Sequence, residues 1–325
     1  MTLHVSEAEV RAVLTMPLAI EAVEVISRKQ ASGEVIVHPR RRFELPGSAF
    51  FHYMAAADYT AGYVAVKQYT YVAGRLRFLV PLYEMATGEL LALIEADYMG
   101  QLRTGAASGV ATSYLARQDA HIAAIVGTGG QAKTQLEAMA AVRQLDLVRA
   151  YSRNAAHCEK FSREMSQQLD IQVRPATSAS EAVRGADIVC TATTASQPVV
   201  RGSDLSQGAH INAIGANHAH KRELDDEAVA SADVIVVDSV EQAQQEAGDL
   251  IIAFHGDESC WMGVKKLSDV VAGKTAGRSS DTELTLFKSN GIASWDLAVA
   301  MRVYTLVREN KLGRELPLWT DTPEA

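Results

Sequence analysis

Residues 121–132, His-Ile-Ala-Ala-Ile-Val-Gly-Thr-Gly-Gly-Gln-Ala, constrain this chain more than any other stretch. An apolar run ends at Gly127, a glycine-rich turn follows, and helix-forming residues continue to about residue 143. This order predicts a buried strand, a tight turn and a helix packed back on the strand. The small residues are spaced G-x-G-x-x-A, at Gly127, Gly129 and Ala132. Gly127 permits the sharp turn, Gly129 lets backbone approach a pyrophosphate, and Ala132 lets the helix lie close to the strand. Thr128, Gly130 and Gln131 complete the turn, and the unpaired amides of a helix start favour a phosphate there. The expectation is a dinucleotide-binding strand–turn–helix; an ordinary strand-to-helix turn is the competing reading.

Around this motif the hydrophobic rhythm alternates. Residues 123–126, 148–151, 171–173, 188–191, 210–214 and 234–238 read as short buried strands, with helical patterns between several of them. Such alternation predicts a parallel, doubly wound sheet. Ahead of it the pattern differs. Ser6 and Glu9 form a capping-box spacing before an apolar-periodic stretch, residues 10–26, read as one helix ending near Ser32-Gly33. Residues 35–94 are strand-like, with runs at 50–54, 63–72, 77–80 and 90–94 separated by Gly62, Gly74 and Thr87-Gly88. They predict a mostly antiparallel sheet. Residues 103–115 are dominated by small side chains and read as a closely packed helix starting at Arg103. Helical patterns also cover 240–247, 266–272 and 295–308, and the tail from Pro317 to Ala325 reads as frayed.

Composition excludes several classes of function. The chain has 325 residues, 48% of them hydrophobic, with a formal net charge of −8. No Lys/Arg track suits a polyanion, so no nucleic-acid partner is expected. The three cysteines, Cys158, Cys190 and Cys260, have no metal or disulfide spacing, which fits a reducing cytoplasm. No apolar run is long enough to span a membrane, and the first residues carry no signal-peptide pattern. His218 and His220 lack a nearby carboxylate or cysteine at ligand spacing, so no metal site is expected.

Several stretches taken together resemble the ornithine cyclodeaminase/mu-crystallin family. They are Pro39-Arg-Arg41, Tyr53-Met54-Ala-Ala, Val66-Lys67, Arg103-Thr-Gly-Ala-Ala, the glycine turn, Asn212-Ala-Ile-Gly-Ala-Asn217, Arg222-Glu-Leu-Asp225 and Leu286-Phe-Lys-Ser-Asn-Gly291. The resemblance implies a Rossmann domain (residues 116–294) inserted in a substrate-binding and dimerisation domain (residues 1–115 and 295–325). It also implies a homodimer.

Within that resemblance, Arg41, Lys67 and Arg103 correspond to a cationic cluster that grips a substrate carboxylate. The chemistry suits them: arginine offers a two-pronged fork and lysine a point charge. On an alternating strand Arg40 and Arg42 would face away from Arg41, so one side of the triple faces the site, and the resemblance selects Arg41. Lys67 lies within an apolar run, where a charge needs a partner or a path to water. Met54 would line the pocket, Arg103 would touch the cofactor phosphate as well as the substrate, and the Thr104 hydroxyl could donate to the pyrophosphate. Asn217 stands where the family's cyclodeaminases and archaeal alanine dehydrogenase carry an aspartate. An asparagine can hydrogen-bond an amine or a water but cannot take up a proton.

The cofactor should be a nicotinamide dinucleotide. The position about 20 residues past the glycine turn, where an acidic residue would bind the ribose of NAD, falls at Ser152, followed by Arg153 and Asn154. No carboxylate there would repel a 2′-phosphate and Arg153 could attract one, so NADP(H) is preferred over NAD(H). Thr191, Ala192 and Thr193, after the fourth strand, are candidates to approach the ribose. Ser289 and Gly291 resemble the family's nicotinamide-side contact. The expected activity is NAD(P)H-dependent reduction of an α-imino acid to an L-amino acid, or the reverse. The alternatives are an ornithine or lysine cyclodeaminase and a mu-crystallin-like small-molecule binder.

Overall fold

The structure, a computed structural model, describes residues 1–318. The expectation for the tail therefore falls, from residue 319 on, outside the described residues. The chain divides into two compact units: Met1–Arg103 with the chain from Ile292 onward, and Thr104–Gly291.

In the first unit, β1 (Thr2–Val5), α1 (Glu7–Val13) and α2 (Met16–Ala31) precede five long strands. These are β2 (Val35–Leu45), β3 (Ala49–Asp58), β4 (Tyr63–Val72), β5 (Arg75–Glu84) and β6 (Leu90–Glu95). The capping box is present: Glu9 accepts from the Ser6 backbone and hydroxyl at 2.9 and 2.7 Å. The helix read over 10–26 is two helices instead, because Leu14 and Thr15 are extended and Pro17 opens α2, a position where its missing amide costs nothing. Strands β2 to β6 form an antiparallel meander. β1 joins β6 in parallel, and the strand Arg314–Leu316 closes the sheet on β1. The C-terminal helix, Ala293–Glu309, packs on β2 to β5 and buries Trp295, Leu297, Val299, Val303 and Val307. Next in chain order, α3 (Asp97–Leu115) runs through the division between the units.

The second unit begins with β7 (Ile122–Val126), α4 (Gly130–Val142), β8 (Leu147–Tyr151), α5 (Ala155–Leu169) and β9 (Gln172–Pro175). It continues with α6 (Ala179–Val183), β10 (Ile188–Thr191), β11 (His210–Ala213), α7 (Asp226–Ala230) and β12 (Val234–Val237). After α8 (Val240–Glu246) and α9 (Gly248–Ala253) come β13 (Lys265–Lys266), α10 (Leu267–Val271) and β14 (Thr285–Lys288). The strands pair in parallel in the order β13-β12-β14-β11-β10-β7-β8-β9. Strand order reverses between β7 and β10, where doubly wound sheets leave a crevice at the strands' carboxyl ends. Strand β14 carries no strand signal in the sequence: it has four residues and ends in lysine. All four are nonetheless buried, because β14 lies between β11 and β12. Among the described residues no helix is long and apolar enough to cross a membrane.

Candidate active site

In the first unit a buried cationic cluster is built around one carboxylate. Lys67, on β4, is 3% exposed, and its Nζ lies 2.9 Å from Asp296 Oδ1. Arg103, in the second turn of α3, is also buried, and its Nε donates to the same oxygen at 3.0 Å. Asp296 Oδ2 and Arg103 Nη1 are buried with no hydrogen-bond partner. Gly100, one turn before Arg103, makes room for the ammonium: a Cβ there would lie 3.1 Å from Lys67 Nζ. Met54 sits opposite Lys67 in the β3–β4 register and is buried beside it. Burial, with the nearby Arg103 and Arg40 cations, lowers the Lys67 amine to about 8 against the opposing pull of Asp296. Lys67 and Arg103 thus share one aspartate oxygen, with the Arg40 cation near enough to act on the lysine. A buried guanidinium nitrogen left without a hydrogen bond is costly, so the cluster is suited to receive an anion.

Asp296 carries no distinguishing signal in the sequence. The available signal is an acid inside an otherwise apolar helix, and that is ambiguous, since acids are also favoured in a helix's first turn. The structure also moves the start of the small-residue helix from Arg103 back to Asp97, where Glu7 accepts from the Asp97 and Tyr98 amides. The amides of Arg103 and Thr104 therefore lie within the helix.

The arginine triple is the second correction. Alternation holds, but it selects the other side. A bulge in β2 between His38 and Arg41 sets two residues, Pro39 and Arg40, against Met54. Arg41 then pairs with Tyr53, whose side chain points to the face opposite Met54, and Arg41 is exposed. Arg40 is 8% exposed and close enough to Lys67 to depress its amine. Arg40→Met should raise KM for a carboxylate substrate by about tenfold or more, the loss of one charge-assisted contact, and Arg41→Met by less than about threefold. Steady-state kinetics of the two variants checks this.

In the second unit the glycine turn has the predicted form. Gly127 ends β7 at φ +100°, where a Cβ would lie 2.5 Å from the Ala192 carbonyl oxygen. Gly129 caps α4, and a Cβ on Gly129 or Gly130 would meet nothing within 4 Å. Ala132 is fully buried, in the cluster that joins α4 to β7. Thr128 and Gln131 are half-buried, and Gln131 Oε1 has no hydrogen-bond partner. Open backbone at the start of a thirteen-residue helix fits a pyrophosphate. After β8, Ser152 is half-buried and Arg153 exposed, while the Asn154 side chain caps α5 by accepting from the His157 amide at 3.0 Å.

The loops beside the turn are held by two acids, Glu223 and Asp238, whose partners are distant in sequence. Thr191 is fully buried and its hydroxyl is committed to Glu223 at 2.8 Å, so this side chain is not free for a ribose. Ala192 and Thr193 lie in the loop itself, and the Thr193 amide also donates to Glu223, at 2.7 Å. The Asn290 and Gly291 amides donate to Asp238 at 2.7 and 2.5 Å, with Ser289 buried beside the same carboxylate. Gly291 takes φ +80°. Asn217 Oδ1 lies 2.8 Å from His218 Nδ1. The His218 and His220 rings are 5.6 Å apart, and no group of three potential metal ligands exists among the described residues.

A glycine turn of this kind, at the reversal point of a parallel sheet, defines the doubly wound dinucleotide-binding class. Within it, the chain belongs to the ornithine cyclodeaminase/mu-crystallin family, whose sequence profile it matches over residues 2–311. It is 40% identical to a Δ1-pyrroline-2-carboxylate reductase of Bacillus cereus over 245 residues, 73% of each chain. It is 33% identical to the alanine dehydrogenase of Archaeoglobus fulgidus over 97% of this chain and 98% of that one. The structure superposes with a TM-score of 0.92 on the Δ1-pyrroline-2-carboxylate reductase of Thermococcus litoralis in complex with NADH and L-proline. That match has 36% identity and covers 97% of this chain and 100% of that one.

Proposed function

We propose that the chain is a nicotinamide-dependent oxidoreductase that reduces the C=N bond of an α-imino acid to an L-amino acid and can run the reverse dehydrogenation. The observation that carries this reading is the Lys67–Arg103–Asp296 cluster, with a buried guanidinium nitrogen lacking a partner and Arg40 adding a further cation. Arg103 and Arg40 would hold the substrate carboxylate. When bound, the reduced nicotinamide supplies the hydride to the adjoining carbon. Lys67, ionised at neutral pH yet easily deprotonated, moves the proton at nitrogen, and Asp296 orients it. Asn217 offers a hydrogen bond in place of an acid–base group. That suits an iminium, which is already electrophilic, better than a cyclodeaminase, which must also expel ammonia. The relatives' activities, imino acid reduction and amino acid dehydrogenation, support the same assignment.

Two finer points belong to the proposal. Ser152-Arg153 presents no carboxylate to a 2′-phosphate, which favours NADPH, although the Thermococcus litoralis relative was captured with NADH. A homodimer would cover the outer face of the first unit's sheet, where Phe43 stacks on Tyr53 yet remains 54% exposed. The test is oxidation of NADPH and NADH in the presence of pyrroline-2-carboxylate, other cyclic imines, and keto acids with ammonia or methylamine. Turnover with at least one imine, and a lower KM for NADPH, is the expected outcome. No oxidation with any of them, or ammonia release from ornithine without added reductant, would overturn the assignment. A strong preference for NADH would overturn the cofactor choice alone.

A further inference from the structure

We propose that Glu223 is a positioning residue for the dinucleotide, its carboxylate fixing the backbone of the loops after β10 and β11. The inference rests on the dinucleotide reading above and adds a residue to it.

Glu223 lies in the connection between β11 and α7, and its side chain is fully buried. It makes three accepted hydrogen bonds. Oε1 takes the Thr193 amide at 2.7 Å, and Oε2 takes the Gly215 amide at 2.7 Å and the Thr191 hydroxyl at 2.8 Å. One carboxylate therefore ties together the ends of two neighbouring strands on the carboxyl side of the sheet. Both loops depend on that tie for their fit. A Cβ at Gly215 would lie 2.2 Å from the Thr193 carbonyl oxygen and 2.5 Å from Glu223 Oε1, so the loops run in backbone contact beside the acid. The Thr193 loop in turn abuts the glycine turn, since a Cβ at Gly127 would meet the Ala192 carbonyl and the Thr193 methyl, at 2.5 and 2.9 Å. A shift of the Thr193 backbone is thereby felt at Gly127.

The acid is itself held from behind. Asp249 Oδ1 accepts from the Glu223 and Leu224 amides at 2.6 and 2.9 Å, and Asp249 Oδ2 pairs with Lys288 at 3.1 Å, both side chains fully buried. Lys288 also donates to the Ala213 carbonyl, at the end of β11. Burial pushes the Glu223 carboxyl above the usual carboxylate range, against the pull of Lys288 and of the Thr193 and Thr191 bonds, so placing an acid here costs free energy that an apolar contact would not. Its partners are all backbone or short side chains at strand ends, so what it secures is loop position.

Glu223→Gln tests this, because a carboxamide keeps the shape but turns one acceptor into a donor facing a backbone amide. Dinucleotide binding is read from nicotinamide fluorescence, the imino acid KM at saturating cofactor, and loop mobility from hydrogen exchange of peptides carrying Thr193 and Gly215. The dissociation constant of NADH or NADPH, whichever the unaltered chain binds more tightly, should rise about tenfold or more, the cost of an unsatisfied buried donor. The imino acid KM should stay within about twofold, and exchange should quicken at the two loops but not across β7. Thr191→Val, which takes one partner from the carboxylate and leaves the amides, should raise the dissociation constant less, about two- to fivefold. This second variant decides the matter if Glu223→Gln does not fold. A dissociation constant within about twofold of the parent's in the variants that fold, or exchange quickened throughout the unit, overturns the role. If the unaltered chain binds neither NADH nor NADPH, the functional reading falls with it.

Discussion

Lys67→Met should lower kcat/KM for imine reduction by about a thousandfold, within the range for loss of a positioned proton donor. The argument is local. Lys67 is the only member of the cluster that can release a proton near neutral pH, because arginine stays charged. Its amine is lowered to about 8, first by burial and then by Arg103 and Arg40, with Asp296 holding it up. The sign of the pH effect follows. Below about 8 the amine carries its proton and can donate it, so imine reduction should be level and then fall as pH rises through 8. Oxidation of the amino acid needs the neutral amine and should rise through the same range. Because kcat/KM reports groups on the free enzyme, the limb should vanish in Lys67→Met. A thousandfold loss with an unchanged pH profile would assign the limb elsewhere. Full activity in the variant would remove Lys67 from the chemistry.

Gly127→Ala should weaken dinucleotide binding by about a hundredfold, through a different physical cause. At φ +100° an L side chain is strained, and the added methyl would lie 2.5 Å from the Ala192 carbonyl oxygen. Backbone strain and overpacking each cost about 1–3 kcal/mol, and relief requires the β10 loop to move off the turn. Titration of nicotinamide fluorescence measures the loss, and a thermal melt without cofactor separates it from general instability. Gly129→Ala meets open space, so its Cβ alone should do much less to the empty protein. Any large effect there would show only when the cofactor is added.

What the sequence revealed, and what it hid, divides along physical lines. The glycine turn was legible because each small residue answers a local demand: a left-handed φ at Gly127 and close helix packing at Ala132. Lys67 was legible as a charge in an apolar strand. The capping box at Ser6 and Glu9 was legible because it is local. Arg40 was hidden by a bulge, since strand alternation predicts which residues share a face but not where an extra residue resets it. Asp296 was hidden because its partners lie more than 190 positions away in sequence. Glu223, Asp238 and Asp249 were hidden for the same reason: each satisfies backbone amides that only the folded sheet brings near. Strand β14 was hidden because, buried among neighbouring strands, four residues need no alternation.

The first unit's sheet is closed by pairing between the opening strand β1 and a strand at 314–316, with Glu9 accepting from the Gly313 amide. Everything from residue 104 to 291 lies in sequence between the parts of that sheet. On a ribosome, the inserted parallel sheet can therefore mature while its host still lacks the C-terminal helix that buries the Lys67 ammonium against Asp296. Until that helix is made, the Lys67 ammonium lacks the carboxylate it pairs with, and a nascent chain stalled near residue 290 should need a chaperone more than the finished fold does.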